Sequence, residues 1–403
     1  MTFAEKKTLW QGKNPTTTIK KLQYFSKNRQ NRPKIKIERK NMKKSICVKN
    51  IFAVFLLAFF TGLGFCEEAD YAENEALKTK ETALSENEEP EKNLDEEEFS
   101  FADLDMVELG PKDGEMYDVY VIGDGSQSFT EKRWITPFFI NRTETTYSLW
   151  YSVRTTAEEK GYKFLNPGQE GSRGKRGAQP TLWGKYEPVT MISWYDAAIW
   201  CNAFSEIYGL TPCYSFEGKI LRDATDTTKL DLCECNWNAD GFRLPAEEEW
   251  EYAARKTKAG FQGGDILSGQ IDENGKTDLS VLEDEVAWTA NNASFTHTVG
   301  TAGTPFETRA KPKPGSGNPN GAGIFDMSGN VLEFVWDWFG NYKSVEAGTR
   351  ATGPDAGSQR VSRGGSWSLY TPFNCAGDRY SFDPNEVYDY FGFRLAQSKN
   401  NTF

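Results

Sequence analysis

The residues best equipped for contact chemistry stand near the C-terminal end of the chain. Two anchors, Arg360-Val-Ser-Arg-Gly-Gly-Ser-Trp367 and Gly392-Phe-Arg-Leu-Ala396, bracket a stretch without lysine. It holds Tyr370, Phe373, Tyr380, Phe382, Tyr388 and Tyr390 among Asn374, Asp378 and Asp383. Tyrosine gives large contact area at low entropy cost, and Asp, Asn and Ser give adaptable hydrogen bonds, which is the composition of a paratope. These nine residues are the candidate ligand-binding set. The plainer alternative is that several of the rings are core.

Imidazole and sulfur offer less. The single histidine, His297, excludes a multi-His zinc site and leaves any Ser-His-Asp or Cys-His arrangement dependent on that one residue. In Thr296-His-Thr-Val-Gly300 it reads as structural, and no catalytic residue is assigned. Cys213 and Cys233-Glu-Cys235 lack a fourth zinc ligand nearby. In an exported protein a disulfide is the better reading. A net charge of -11 argues against a nucleic-acid partner, which needs a basic face.

The elements that must position these groups begin well inside the 403 residues. Residues 1–41 form a basic extension, expected to lie upstream of the true start at Met42. Residues 42–66 read as a secretory signal: Met42-Lys-Lys-Ser, then an apolar run from Ile51 to Phe60, too short for a comfortable membrane span. The signal ends Leu63-Gly-Phe-Cys66, so Cys66 is the expected lipid acceptor of a bacterial lipoprotein. Phe65 departs from the usual small residue, and an ordinary cleaved signal is the alternative. Either way the mature protein is expected outside the cytoplasm, at the outer surface or in the periplasm. Residues 67–109 read as an acidic, disordered tether.

One domain, 110–397, is expected to follow. Strand-like text runs from Met116 to Ile122 and from Pro137 to Ile140. Thr145 can cap a helix through Trp150 and Val153. Ser193 and Asp196 form a capping-box start, followed at helical spacing by Trp194, Ala197, Ala198, Cys201, Phe204 and Tyr208, with Gly209 as the stop. Cys201 on that stripe reads as a packed thiol. Glu247 to Glu249 open a third helix, where the helix dipole favours negative charge. Beyond residue 260 periodicity fades into loops and short strands, so the class is α+β with much irregular structure.

Four segments in order resemble the formylglycine-generating enzyme (sulfatase-modifying factor) family. They are Pro188-Val-Thr-Met-Ile-Ser-Trp-Tyr-Asp-Ala197, Gly241-Phe-Arg-Leu-Pro-Ala-Glu-Glu-Glu-Trp-Glu-Tyr-Ala-Ala-Arg255, Asn318-Pro-Asn-Gly-Ala-Gly-Ile-Phe-Asp-Met-Ser-Gly-Asn-Val-Leu-Glu333, and Arg363-Gly-Gly-Ser-Trp367 with Gly392-Phe-Arg394. The resemblance implies a C-type-lectin-like fold. Ala246 in place of a hydroxyl cap, and Leu332 and Phe334 in place of tryptophans, depart from the pattern. The family's founding activity oxidises a cysteine in a Cys-x-Pro-x-Arg sulfatase peptide, using copper held by two cysteines just after the Gly-Gly-Ser-aromatic motif. Two soft thiolates select Cu(I). Here that stretch is Ser368-Leu-Tyr-Thr-Pro-Phe-Asn374, without cysteine, and Cys375 matches a non-catalytic position. No copper is expected, and the chain reads as a non-catalytic binding member; the oxidase is the alternative. Histidine-ligated iron chemistry, as in related sulfoxide synthases, is not expected with one histidine.

The resemblance also implies a structural Ca²⁺ loop, with carboxylates from Asp326 and Glu333 and carbonyls from Gly329 and Val331. Alternatively, Asp326 caps the turn and Glu333 pairs with an arginine such as Arg363. Relatives further imply a Cys213–Cys235 disulfide, with Cys233 as the competing partner. One branch of the fold, the variable proteins of diversity-generating retroelements, rewrites a Gly-Gly-Ser-Trp to Gly-Phe-Arg segment at the extreme C-terminus, and some members are exported lipoproteins. The expected partner is therefore a protein or carbohydrate ligand on the 368–391 face, with membrane attachment through Cys66.

Overall fold

Alternating apolar patterns in this chain are short, and so are the strands they make. The computed structural model describes residues 104–111, 115–123, 130–305 and 313–399. The chain divides into two compact units, Met1–Leu94 and Asp95–Phe403, and all described residues belong to the second. The extension, the signal with Cys66 and the tether as far as residue 103 lie outside the described residues.

One four-stranded sheet joins the two ends of the described fold. Its order is Met106–Leu109, Phe138–Asn141, Ala396–Ser398, Phe242–Arg243, antiparallel throughout. Ile140 is paired with both Val107 and Ala396. The strand from Met106 therefore belongs to the domain, which starts before the expected residue 110.

The second sheet carries the terminal motifs. Its order is Arg379–Phe382, Arg360–Arg363, Leu332–Trp338, Phe391–Phe393. The last strand runs parallel to Leu332–Trp338 and the other pairs are antiparallel. One cross-strand row holds Gly392, Glu333, Arg363 and Arg379. Residues far apart in sequence thus become neighbours on one sheet.

Three helices pack on these sheets. Tyr147–Glu159 is capped by Thr146, whose side chain accepts from Leu149 N; Thr145, the expected cap, lies one residue too early. Trp194–Ile207 has the expected capping box from Ser193 and Asp196. Its expected apolar stripe is too narrow, because every residue from Trp194 to Ser205 is buried. Glu247–Arg255 starts at Ala246, and the Glu249 carboxylate accepts from Ala246 N at 2.9 Å in place of a hydroxyl cap. Trp150 and Trp200 stack with centroids 5.8 Å apart, and Phe393 meets both edge-on. This aromatic cluster ties the first two helices to the Gly392-Phe-Arg anchor. The result is α+β with little regular secondary structure, as expected.

Candidate functional site

The segment from Trp367 to Tyr390 hangs between two buried arginines. Arg363 and Arg394 are fully buried. Arg394 grips Glu333 with two hydrogen bonds of 2.5 and 2.6 Å, and Glu333 also accepts from Trp250 Nε1 at 2.7 Å. Arg363 pairs with Glu251 and reaches Glu247 at 3.5 Å. Glu247 in turn takes a forked pair from Arg379 at 2.6 and 2.7 Å. Glu247, Glu248 and Glu249 stand in the first turn of Glu247–Arg255, where the helix dipole favours them, and together with Glu251 they are all buried. Burial alone would raise Glu249, but Arg243 and Arg350 outweigh it and hold the carboxyl at about 2. A buried pair of this kind adds little net stability, yet removing one partner strands a charge and costs ~3–5 kcal/mol. The anchors are rigid for that reason.

Between the anchors the chain turns outward. Gly364 and Gly365 both have positive φ, and a Cβ on Gly365 would come within 2.2 Å of Asn374 Oδ1. Trp367 N donates to Asn330 O at 2.9 Å. A short 3₁₀ turn follows at Thr371–Phe373. Tyr370 is 58% exposed and Tyr388 36%. Tyr388 and Tyr390 stack in parallel at 4.9 Å, and Asp383 is exposed. Phe373 is half-buried.

Four of the nine expected contact residues do other work. Asn374 is buried, and its Nδ2 donates to Leu369 O and Tyr370 O at 3.0 and 2.9 Å, which shapes the loop. Asp378 is buried and accepts from Cys375 N. Tyr380 points its hydroxyl inward to Phe373 O at 2.6 Å. Phe382 packs on Phe391 at 4.5 Å. Tyr380 and Phe382 stand on the edge strand Arg379–Phe382, half-buried, with their side chains engaged by Phe373 and Phe391; composition alone hides that distinction.

The surroundings add groups that sequence reading left out. Asn291 Nδ2 donates to Thr371 Oγ1 at 2.5 Å. Met191 N donates to Tyr388 O at 3.1 Å. His297 lies between Trp288 at 3.9 Å and Phe295 at 5.1 Å, and Arg173 caps the stack 3.3 Å from the Phe295 ring. His297 N also donates to Asn330 Oδ1 at 3.0 Å. The histidine is thus a packing element beside the segment. Burial pushes the nearby Glu187 carboxyl up to about 7, against the pull of Thr296 and Arg173. Only tertiary structure brings these loops together, and no local motif announces them.

Cys201, Cys213, Cys233, Cys235 and Cys375 are all free thiols, so the expected Cys213–Cys235 disulfide is not formed. Strand pairing matches Cys235 with Tyr214, and Cys213 O accepts from Asn236 N. Cys213 and Cys235 are therefore offset by one residue rather than directly opposite in the strand pair. The Cys213 thiol donates to Gly241 O at 3.4 Å. Burial pushes Cys213 up to about 11 and Cys233 to about 12, so neither is a nucleophile at neutral pH. Cys201 is buried in the helix core. The Cys375 thiol donates to Asp265 O at 3.2 Å. No second thiol stands in the Ser368–Asn374 stretch, so the residues present do not fit a two-thiolate copper site.

The loop expected to hold calcium is tightly wound: Asp326, Gly329 and Asn330 all have positive φ. Both oxygens of Glu333 are taken by Arg394 and Trp250. The arginine is Arg394, whereas Arg363 goes to Glu251 and Glu247. Asp326 Oδ2 accepts from Gly300 N. The buried carboxyls of Glu144 and Asp326 face each other, and no N–H donor reaches Glu144 Oε1 or Asp326 Oδ1. Burial, then repulsion from Asp326 and Glu333, raises Glu144 well above the carboxylate range. Among the described residues no group of three or more His, Cys, Asp or Glu is arranged to hold a metal ion. As folded, Asp326, Gly329, Val331 and Glu333 do not fit a calcium site, because Glu333 is not available.

Comparison with known proteins places this geometry in context. The sulfatase-modifying factor enzyme 1-like domain matches residues 107–399. The chain is 30% identical over 274 residues, 66% of its length and 81% of the relative's, to a protein named chaperone protein LppX from Paenibacillus barcinonensis. It is 34% identical over 169 residues to the formylglycine-generating enzyme of Streptomyces coelicolor, 40% of this chain and 48% of that enzyme. The alignment therefore spans about half of that enzyme. Among solved structures, Treponema denticola variable protein 1 aligns with a TM-score of 0.54 at 28% identity, covering 73% of this chain and 95% of that one.

Proposed function

From a chain that belongs to the sulfatase-modifying factor enzyme family, we propose an exported binding protein that presents the 368–391 segment to a ligand and performs no oxidation. One observation carries this reading. Where the oxidase needs two thiolates, this chain has a loop knotted by Asn374 to the carbonyls of Leu369 and Tyr370, with Tyr370 held outward. The ordered anchors keep the loop in place without any reactive group in it. Tyr370, Asp383, Tyr388 and Tyr390, with half-buried Phe373, form the contact set.

The ligand is a protein or a carbohydrate. The signal supports display outside the cytoplasm, attachment through Cys66 fits it, and the likeness to a chaperone protein and to a variable protein accords with a binding role. Incubating the protein with copper, oxygen and a Cys-x-Pro-x-Arg peptide is expected to give no formylglycine. Turnover that Cys375→Ser abolishes would sink this reading in favour of the oxidase. For the variable-protein version, the gene from sibling isolates is expected to differ mainly in codons 368–391. Evenly scattered changes would count against diversification.

A further inference from the structure

A cationic loop borders the terminal face. Arg173, Lys175 and Arg176 are exposed, and among the described residues they take part in no salt bridge. This is a local reversal of sign in a chain of net charge -11. The loop is built, not loose. Gly171 N donates to Pro188 O at 3.1 Å, Ser172 N to Thr296 Oγ1 at 2.7 Å, and Gly177 N to Gly168 O at 2.8 Å. A Cβ on Gly171 would collide with the Glu187 carboxylate at 1.9 Å. The Arg173 guanidinium stands over the Phe295 ring, 3.3 Å from its centroid, and cation–π attraction holds it there.

The loop and the face share a residue. Arg176 Nη2 is 3.7 Å from Met191 Sδ, and Met191 N donates to Tyr388 O. Met191 has φ +55, a left-handed conformation that costs a non-glycine residue ~1 kcal/mol or more and persists where the surroundings impose it. The joint between cations and stacked tyrosines is therefore fixed.

We propose, on the reading of the terminal segment as a ligand face, that its partner is an acidic polysaccharide. The Tyr370, Tyr388 and Tyr390 rings stack on sugar C–H faces, while Arg173, Lys175 and Arg176 take the carboxylate or sulfate groups. The chemistry favours a sugar chain over an acidic peptide. The negative face of an aromatic ring repels carboxylate and accepts C–H, so exposed rings bordered by a cationic loop match a polymer that carries both apolar ring faces and charges.

The test uses the full chain and three polymers, dextran sulfate, polygalacturonate and neutral dextran, at about 150 mM salt, where long-range charge effects are screened. Binding to one or both acidic polymers but not to dextran is expected, and the preferred polymer tells sulfate from carboxylate. Arg173→Glu/Lys175→Glu/Arg176→Glu should weaken binding about tenfold or more. Lys160→Glu/Lys219→Glu/Lys258→Glu, which shifts net charge equally on exposed positions elsewhere, should change it less than about twofold. Equal loss in both triples would reduce the effect to bulk charge and overturn the proposal. So would binding only to poly-glutamate or to phosphatidylglycerol vesicles, which would point to a protein or a membrane, and so would no binding at all. The same polymers read the face separately through Tyr370→Ala/Tyr388→Ala. If the loop triple abolishes binding and the tyrosine pair leaves it intact, the terminal-face reading fails. If only the tyrosine pair matters, the face stands and the acidic partner falls.

Discussion

Arg363 and Tyr370 are close in sequence and meet opposite environments. The guanidinium is fully buried against Glu251, Glu247 and the carbonyls of Ala376 and Asp378, while the phenol ring is 58% exposed. Arg394 and Tyr388 repeat the contrast at the other end. In the anchors, charge is tolerated only because each ion finds a partner in low dielectric. In the segment between them, Asn374, Asp378 and Arg379 hold the loop, and the exposed Tyr370, Asp383 and Tyr388 are free to be judged by what they contact. A buried frame with an exposed rim is what allows one scaffold to carry different surfaces.

The largest effect should come from the frame. Arg394→Met leaves Glu333 buried and unpaired, and urea unfolding should show a loss of ~3–5 kcal/mol. A loss below about 1 kcal/mol would mean that the anchor is not electrostatic. Phe393→Ala, which opens a hole between Trp150 and Trp200, should cost a similar ~3–5 kcal/mol. A smaller but sign-specific effect concerns pH. Burial first, then repulsion from Glu247, raises Asp337 to about 7 from its ordinary value of 3.8. A carboxyl raised in the folded state contributes stability fully present below its unfolded value, and that contribution is lost as pH rises through about 7. Asp337→Asn keeps the acceptor for Glu247 N and removes the loss. Melting curves at pH 4 and pH 8 should therefore move in favour of the variant by a few kcal/mol as pH rises. Equal offsets at both pH values would rule this out.

The middle should respond least. Tyr370→Ala is expected to change stability by less than about 0.5 kcal/mol while reducing ligand binding, so a large drop in melting temperature would place the ring in the core after all. Millimolar calcium or a chelator should shift the melting temperature by less than about 2 °C, because little binding means little linkage. A large calcium-dependent rise would show that Arg394 surrenders Glu333 to the cation.

Much of the frame was legible in the chain. The Ser193 capping box, the Trp194 helix and the α+β class follow from side-chain spacing and cap chemistry, which act within a few residues. Local rules failed where partners are remote. Thr146 rather than Thr145 caps its helix, because strand pairing sets where the helix begins. Glu247 to Glu249 read only as first-turn acids, whereas with Glu251 they form a buried network whose arginines come from positions 243, 363 and 379. The disulfide that relatives imply is not formed, and strand pairing sets Tyr214, not Cys213, opposite Cys235.

Sequence by itself determined the family, the two anchors and the absence of a thiol pair between them, because these are statements of residue type and order. Tertiary structure decided which rings are surface. Asn374, Asp378, Tyr380 and Phe382 share the composition of Tyr370 and Tyr388, yet they are turned inward by hydrogen bonds and packing from elements distant in the chain. It alone also brought the Arg173–Arg176 loop to Tyr388 through Met191. Exposure is a property of what lies on the other side of a residue, and that other side is folded in from elsewhere.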